Sequence, residues 1–337
     1  MFRFCLMLAA IVALAGPVGA TPSDQVAQAA NASIKGDGGV VRLLVNPSGT
    51  QSFPPFVIQK LHLDDKYGFK LETKPSATTQ TTTVAFQSGG ADIGIMGWND
   101  ISRVKAGGVK IVGIAPFLGW ATTIVTAVDS PNRNLGDLKG KKVGVNNRAG
   151  LEWTVMRALA QKVYGFDLEK GVVIQEAAIG VLQGLMAQNQ IDATLMFNDL
   201  TAPLVVSGKF RVMARIQDFN EQLGLPDTPL LMYVGDTDHA AAHPNNVRAF
   251  LAAYRESVKD LQSDDSLWTA RAQELNITDE AVVAAMRNGS RPMLLSAFGP
   301  TSEADIRKTW DILLATAGAE TLGMGQLVPG FMTLDYQ

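Results

Sequence analysis

A short sequence that occurs twice constrains the fold of this 337-residue chain more than any other feature. Residues 91–100 read A-D-I-G-I-M-G-W-N-D and residues 191–199 read I-D-A-T-L-M-F-N-D. Each copy holds an apolar run too short for a helix, and each run follows a helical pattern that ends in Gly or Asn, as in a βαβ unit. The repeat therefore predicts two buried strands, each followed by a helix, in two similar lobes.

The polar residues after these two strands are predicted to face one another. Ligands of parallel α/β sheets bind outside the carboxyl ends of the strands, which is where Trp98-Asn99-Asp100 and Phe197-Asn198-Asp199 would lie. Asn-Asp is also a favourable N-cap sequence, so capping is an alternative role for these residues. We infer a two-lobed protein that closes on a small solute.

The first twenty residues have the pattern of a secretory signal peptide. Arg3 precedes an apolar run, and Val18-Gly19-Ala20 is a small-residue cleavage site. The single cysteine, Cys5, lies inside this segment, so we expect neither a disulfide nor a lipid anchor on the mature chain. No later stretch reaches the ~20 apolar residues of a membrane helix. These features predict an exported, unanchored protein of the periplasm.

Composition is ordinary for a soluble globular protein, with 47% hydrophobic and 18% charged residues. The chain has 29 basic and 32 acidic residues, a balance that gives no reason to expect nucleic acid as a partner.

The order of elements predicts two doubly wound α/β lobes joined by a two-strand hinge, with a helical C-terminal part. After a flexible lead-in, residues 21–39, the first lobe comprises residues 40–125 and 220–337, and the second comprises residues 126–219. The crossings between the lobes are expected near residues 121–128 and 212–234. The helical tail is expected to pack around the first lobe and over the back of the hinge.

Several motifs together resemble those of one protein family. The signal is followed by L-L-V in the first strand, by the D-I-G-I-M-G strand, and by N-L-G-D-L-K-G-K-K-V-G-V at residues 134–145. This series is similar to that of the periplasmic solute-binding proteins of ABC importers of the nitrate, sulfonate and taurine type. The resemblance implies the type II periplasmic-binding-protein fold and a solute held between the lobes.

The resemblance also implies where the solute would lie. In the family, the contacts come from the loop after the first strand, the residues after the D-I-G strand, the entrance to the hinge near Leu118, and the turn after K-V-G-V. With the second repeat, the implied ligand-binding residues are Gly49, Thr50, Gln51, Ser52, Phe53, Gly97, Trp98, Asn99, Asp100, Trp120, Arg148, Ala149, Gly150, Leu151, Phe197, Asn198 and Asp199.

The turn before Leu151 is predicted to favour an anion. A helix N-terminus presents free amides and a partial positive charge, and Arg148 could add a bidentate grip on a sulfonate, phosphate or carboxylate. Alternatively, Arg148 is a solvated or ion-paired residue. The family often has small hydroxyl residues in this turn, whereas this chain has N-N-R-A-G at residues 146–150, a departure that argues against plain sulfonate or nitrate.

The aromatic and acidic candidates allow two interpretations. Trp98 and Trp120 would supply flat apolar walls to a pocket, or they belong to the core. Asp100 and Asp199 are favourable in the first turn of a helix without any ligand. If one of them faces the cleft, it indicates an amine or another cation, and with Arg148 a zwitterion.

Enzymatic and metal-binding functions have less support. The sequence contains no G-x-S-x-G, H-E-x-x-H or P-loop motif, and His239 and His243 could bind a metal together only on a shared helix. We therefore expect a monomeric solute receptor with no cofactor, no metal and no catalytic residue, which delivers a small organic, anionic or zwitterionic solute to an ABC permease. The alternative is an exported enzyme or sensor built on the same fold.

Overall fold

The computed structural model describes residues 34–47, 49–76, 78–299 and 302–337. The predicted signal peptide and most of the lead-in lie outside the described residues. The described end of the lead-in is held by hydrogen bonds, because the Gly36 amide donates to Tyr67 O at 2.8 Å. The Asn246 side chain accepts from the Asp37 amide and donates to Gly38 O.

The described residues contain ten strands in two five-stranded sheets. In chain order they are β1 Val40–Val45, β2 Lys70–Pro75, β3 Ile93–Gly97, β4 Ile111–Leu118, β5 Thr122–Ala127, β6 Lys142–Val145, β7 Val173–Glu176, β8 Ala193–Phe197, β9 Phe210–Arg215 and β10 Leu231–Asp236.

The two sheets have the same arrangement of strands, which explains the repeat in the sequence. The first sheet has the order β2-β1-β3-β10-β4 and the second has the order β7-β6-β8-β5-β9. The first three strands of each order are parallel, and the fourth, β10 or β5, is antiparallel to its neighbours. The repeated strands β3 and β8 thus hold the same central position. This confirms the predicted fold of two α/β lobes, which we name the first and second lobe after their sheets.

Helices flank both sheets. They are α1 Phe53–Lys60, α2 Leu63–Tyr67, α3 Thr79–Gln87, α4 Trp98–Ala106, α5 Leu151–Tyr164, α6 Leu168–Gly171, α7 Ile179–Ala187, α8 Asn198–Val206, α9 Ile216–Leu223, α10 Thr237–Ala242, α11 Pro244–Ser263, α12 Asp265–Glu274, α13 Glu280–Ser290, α14 Ser302–Ala317 and α15 Ala319–Leu322. Helix α5 is capped at its C-terminus by Gly165, whose φ of 68° is a left-handed conformation that glycine adopts without strain. No helix in the described ranges is long and apolar enough to cross a lipid bilayer.

The repeated strands run directly into helices, so the N-caps of these helices are not the Asn-Asp residues that the sequence suggested. The N-caps of α4 and α8 are Gly97 and Phe197, both in extended backbone without a side-chain cap. The Asn-Asp pair therefore lies in the first turn of each helix and not at its cap. The acid still lies near the positive end of the helix dipole, while the asparagine side chains bond to other parts of the chain.

The helical tail contacts both lobes, which differs from the expectation that it packs around the first lobe and the hinge. Helix α13 packs on α8, and α14 packs on α5. The chain passes between the sheets at residues 119–121 and 216–230, and the Gly119 amide donates to Met293 O at 2.7 Å. The tail therefore supports the first crossing as well as the second lobe. The predicted domain limits at residues 125 and 220 remain predictions.

Trp98 lies in the core and not on a wall of the cleft. Its side chain is fully buried, and its ring meets that of Trp310 edge to face with centroids 6.0 Å apart. The indole N–H donates to Pro229 O at 2.9 Å. Because Trp310 belongs to the helical tail, this contact ties α14 to the helix that follows the first repeated strand.

We expect Trp98→Ala to lower the free energy of unfolding by about 3 to 5 kcal/mol, because it removes a fully buried indole. Trp98→Phe is the matched control and should have a smaller effect, since it keeps an aromatic ring but leaves Pro229 O without its donor. Urea denaturation measures both. An unchanged unfolding midpoint for Trp98→Ala would contradict the assignment of this residue to the core.

Candidate functional site

A small cavity lies between the two lobes, near the carboxyl ends of β1 and β8. Its volume is ≈ 20 Å³, which is room for about one water molecule, so the lobes are closed on each other. The first lobe contributes Asn46, Gly49, Thr50, Gln51, Leu118 and Leu231, and the second contributes Ile179, Phe197, Asp199 and Leu200.

The Asp199 carboxylate lies at one of the contacts between the two lobes. It is 5% exposed and lies in the first turn of α8, with Oδ1 3.3 Å from Thr50 Oγ1. Thr50 Oγ1 also lies 2.9 Å from Ser290 Oγ. Thr50 Oγ1 is the donor in both contacts, and because a hydroxyl has one proton it donates either to Asp199 or to Ser290 at a given moment. The chain Ser290–Thr50–Asp199 thus joins the tail, the first lobe and the second lobe.

Gly49 is required for this approach of the lobes. A Cβ atom at residue 49 would lie 2.4 Å from Asp199 Oδ2, which is closer than two such atoms can come. The backbone of Gly49 also has a φ of 75°, a region that residues with a side chain rarely adopt. Both the dihedral angle and the space therefore select glycine where the loop after β1 meets the carboxylate.

Burial raises the pKa of Asp199 to about 6, while hydrogen bonds from Thr50 and from backbone amides act in the opposite direction. Within the described ranges no lysine, arginine or histidine forms an ion pair with Asp199. A carboxylate that is buried without a counter-ion is unfavourable. Asp199 is therefore the acid of this site that a bound partner could stabilise.

The equivalent acid in the first lobe, Asp100, has partners in its own lobe. Its carboxylate accepts from Arg103 at 2.6 Å and from Thr79 Oγ1 at 3.0 Å. Burial raises its pKa, and Arg103 counteracts this effect. The neighbouring Asn99 reaches the other lobe, because its Nδ2 donates to Ala149 O at 3.2 Å. Asp100 is thus part of a structural ion pair, and Asn99 joins the lobes.

Arg148 does not face the cavity. Its guanidinium forms an ion pair with Glu169 of the same lobe, and its side chain is 46% exposed. Glu169 also accepts from Trp153 Nε1 at 2.7 Å. The geometry thus agrees with the ion-paired alternative and not with an anion grip.

The amides of the turn before α5 are partly used. The Asn147 side chain accepts from the Ala149 amide at 2.9 Å, and Asn147 O accepts from the Gly150 amide at 3.0 Å. Leu151 is 2% exposed and belongs to the core. An anion at this turn would therefore find fewer free donors than the sequence suggested.

Several other predicted residues of the site support its surroundings through packing or hydrogen bonds. Ser52 Oγ donates to Gly49 O, and Phe53 packs on Trp268 with ring centroids 4.6 Å apart, so both support the loop from behind. Trp120 is 4% exposed, and its indole N–H has no partner within the part of the chain that the structure describes. Gly97 is buried, and Asn198 Nδ2 donates to Gly289 O at 2.7 Å.

Sequence reasoning missed four residues of the cavity wall and one residue of the tail. Asn46 follows β1 directly and Leu200 follows Asp199. Their positions just after strands could therefore have identified them as residues of the site. Ile179, Leu231 and Ser290 carried no such signal, because they are brought to the cavity by contacts between distant segments.

The histidine pair does not form a metal site with nearby side chains. The rings of His239 and His243 lie 4.8 Å apart, and His239 Nδ1 is 3.2 Å from Asp92 Oδ1. Among the residues that the structure describes, no group of three or more His, Cys, Asp or Glu side chains could hold a metal ion.

Comparisons with known proteins agree with this architecture. A family model described as NMT1/THI5 like matches residues 65–265, which is more than half of the chain. No curated protein sequence matches the chain.

Three solved structures are similar to this one. The alkanesulfonate-binding protein SsuA from Xanthomonas axonopodis pv. citri, bound to MOPS, is 17% identical, with a TM-score of 0.72 over 88% of this chain and 98% of that one. The periplasmic aliphatic sulphonate-binding protein SsuA from Escherichia coli is 18% identical, with a TM-score of 0.67 over 86% and 89%. The periplasmic nitrate-binding protein NrtA from Synechocystis PCC 6803 is 15% identical, with a TM-score of 0.59 over 74% and 70%. At such identities the likeness establishes the fold.

The raised pKa of Asp199 predicts a pH-dependent effect of Asp199→Asn on the ligand-free protein. The pKa rises from 3.8 to about 6, so the folded state binds the proton more tightly and loses stability as the pH rises through this window. Well above pH 6 the Asp199 carboxylate of wild type is fully ionised, and its burial lowers the free energy of unfolding by the full amount. Asp199→Asn should then be more stable than wild type by about 1 to 3 kcal/mol. This advantage should vanish near pH 4.

Urea denaturation at pH 4 and pH 7.5 measures the difference. Asp311→Asn is the matched control, because Asp311 is exposed on α14. A variant at residue 199 that is no more stable than wild type at pH 7.5 would show that the buried carboxylate is already compensated.

Proposed function

Because the chain belongs to the NMT1/THI5-like family, we propose that it is the solute-binding component of an ABC importer. It captures a small organic solute between its lobes and delivers it to a membrane permease. The solved structures named above include binding proteins for alkanesulfonates, bound to MOPS in one case, and for nitrate. Their fold and the match over residues 65–265 support a binding function for this chain.

The cavity between the lobes carries this proposal. Its wall comes from both lobes, and the Thr50–Asp199 contact closes it. A cavity of ≈ 20 Å³ is far smaller than a ligand site of about 300 to 1,000 Å³, so a solute enters only when the lobes separate. A solute that contacts both lobes then stabilises the closed form.

We propose the periplasm as the location and the permease subunits as the partners. Two of the structural neighbours are periplasmic binding proteins, and the sequence predicts a signal peptide. The receptor acts as a monomer, and the ligand-binding residues lie at the cavity between the lobes.

A catalytic function on the same fold is less well supported. The hydroxyl and the carboxylate that meet in the cavity wall, those of Thr50 and Asp199, belong to different lobes, so opening would separate a nucleophile from its base. A thermal-shift screen of sulfonates, carboxylates and amines tests the receptor. A binding compound should stabilise the protein by about 2.7 kcal/mol at a hundredfold excess over Kd and should be recovered unchanged. Turnover of a screened compound, lost in Asp199→Asn, would contradict the proposal.

The hydrogen bond between Asn99 and Ala149 predicts how closure can be weakened. Asn99→Ala removes a contact between the lobes worth about 0.5 to 1.5 kcal/mol, which shifts the equilibrium toward the open form roughly 2- to 12-fold. Small-angle X-ray scattering of the ligand-free variant should give a larger radius of gyration than wild type.

Gln188→Ala is the control, because Gln188 is an exposed amide at the end of α7. It should leave the radius of gyration unchanged. An identical radius for wild type and Asn99→Ala, with opening detected in neither, would argue against closure of two rigid lobes about a hinge.

A further inference from the structure

The wall of the cavity between the lobes carries a negative charge and no positive one. Among the described residues that line it, Asp199 is the ionisable side chain, and the others are uncharged. The charge that a solute meets when the lobes close is therefore set by Asp199. This is the reverse of the anion-binding turn that the sequence predicts.

The arginines that border the cleft are held by partners outside the cavity. Arg148 is paired with Glu169 of α6. Arg103 donates to Asp100 at 2.6 Å and to Ala149 O at 3.4 Å. To bind an anion in the cavity, Arg148 would have to leave Glu169, or Arg103 would have to leave Asp100.

A second acid, Glu152, lies near Asp100. Glu152 lies in the first turn of α5 and accepts from Thr122 Oγ1 at 3.3 Å. Burial raises its pKa, and the nearby charge of Asp100 raises it further. No arginine or lysine is ion-paired with Glu152 in the described part of the chain. Glu152 is thus a second acid whose charged form is disfavoured by burial.

The rest of the wall suits an apolar body. Leu118 and Leu231 come from the first lobe, and Phe197 and Leu200 come from the second. Pockets of this type bind mostly through apolar contact, with a few polar groups that fix the orientation. A solute that lies between these side chains would present its polar end to the Thr50–Asp199 contact.

We propose that the solute of this receptor is an organic cation, a protonated amine on an apolar body, and that the Asp199 carboxylate is its counter-ion. This inference rests on the proposed receptor function and names its solute class. The ammonium N–H groups replace the weak Thr50 contact, so the buried carboxylate gains a charge-assisted hydrogen bond. The displaced Thr50 hydroxyl keeps its hydrogen bond to Ser290 of the tail.

Two pairs of compounds with equal bodies and opposite charges test the solute class. Benzylamine is compared with phenylmethanesulfonate, and butylamine with butane-1-sulfonate, by thermal shift and titration calorimetry at pH 7.5. We expect both amines, and neither sulfonate, to raise the unfolding temperature of the wild-type chain. Asp199→Asn should weaken amine binding about 10- to 100-fold, as expected for the loss of a hydrogen bond between charged groups.

Arg148→Ala is the matched control, since it removes a charge of the turn without touching the cavity. It should leave the affinity for the amines unchanged. If the sulfonates bind and the amines do not, or if Arg148→Ala abolishes binding while Asp199→Asn has no effect, the cation assignment is wrong and the receptor function stands. If neither series stabilises the wild-type chain but a carboxylate of the wider screen does, the cation assignment is wrong and the receptor function stands. If no compound of either screen binds, both fail.

Discussion

The contact between the Asp199 carboxylate and the Gly49–Thr50 segment is the interaction on which the closed arrangement of the lobes depends. It brings a charged group of the second lobe against the loop that follows the first strand, where glycine leaves the necessary space. The carboxylate is almost fully buried, and a long hydrogen bond from Thr50 Oγ1 together with bonds from backbone amides offsets its burial only in part. The closed form without a solute therefore contains an acid that is poorly compensated. A ligand that compensates the Asp199 carboxylate would favour the closed form. In the open form, water would solvate this carboxylate.

The two lobes share their topology but differ in their chemistry at this point. In both, a central parallel strand runs into a helix that begins with an aromatic residue or Asn and has Asp in its first turn. Three residues after Asp100 stands Arg103, which pairs with it, whereas three residues after Asp199 stands Ala202. The first-lobe acid is thus neutralised within its own helix, and the second-lobe acid is not. One duplicated architecture thereby gives one structural acid and one acid that faces the cleft.

The parts of the fold that depend on local pattern could be predicted from the sequence. The repeat correctly indicated two matching strands, each followed by a helix. The roles of Trp98 and Arg148 were harder to predict, because they depend on Trp310 and Glu169, whose positions no local pattern fixes. The contact of the tail with the site could not be predicted either, because Ser290 is 240 residues from Thr50 along the chain. Local periodicity defined the lobes, and long-range packing decided which of the polar residues face the cleft.

The pKa of Asp199 in the presence and absence of benzylamine tests the central claim most directly. Carbon-13 NMR of the side-chain carboxyl, assigned with Asp199→Asn, reports it as a function of pH. Without a solute the pKa should be about 6, and saturating benzylamine should lower it, because a bound cation favours the carboxylate form. A pKa of Asp199 that is the same with and without benzylamine would contradict the account.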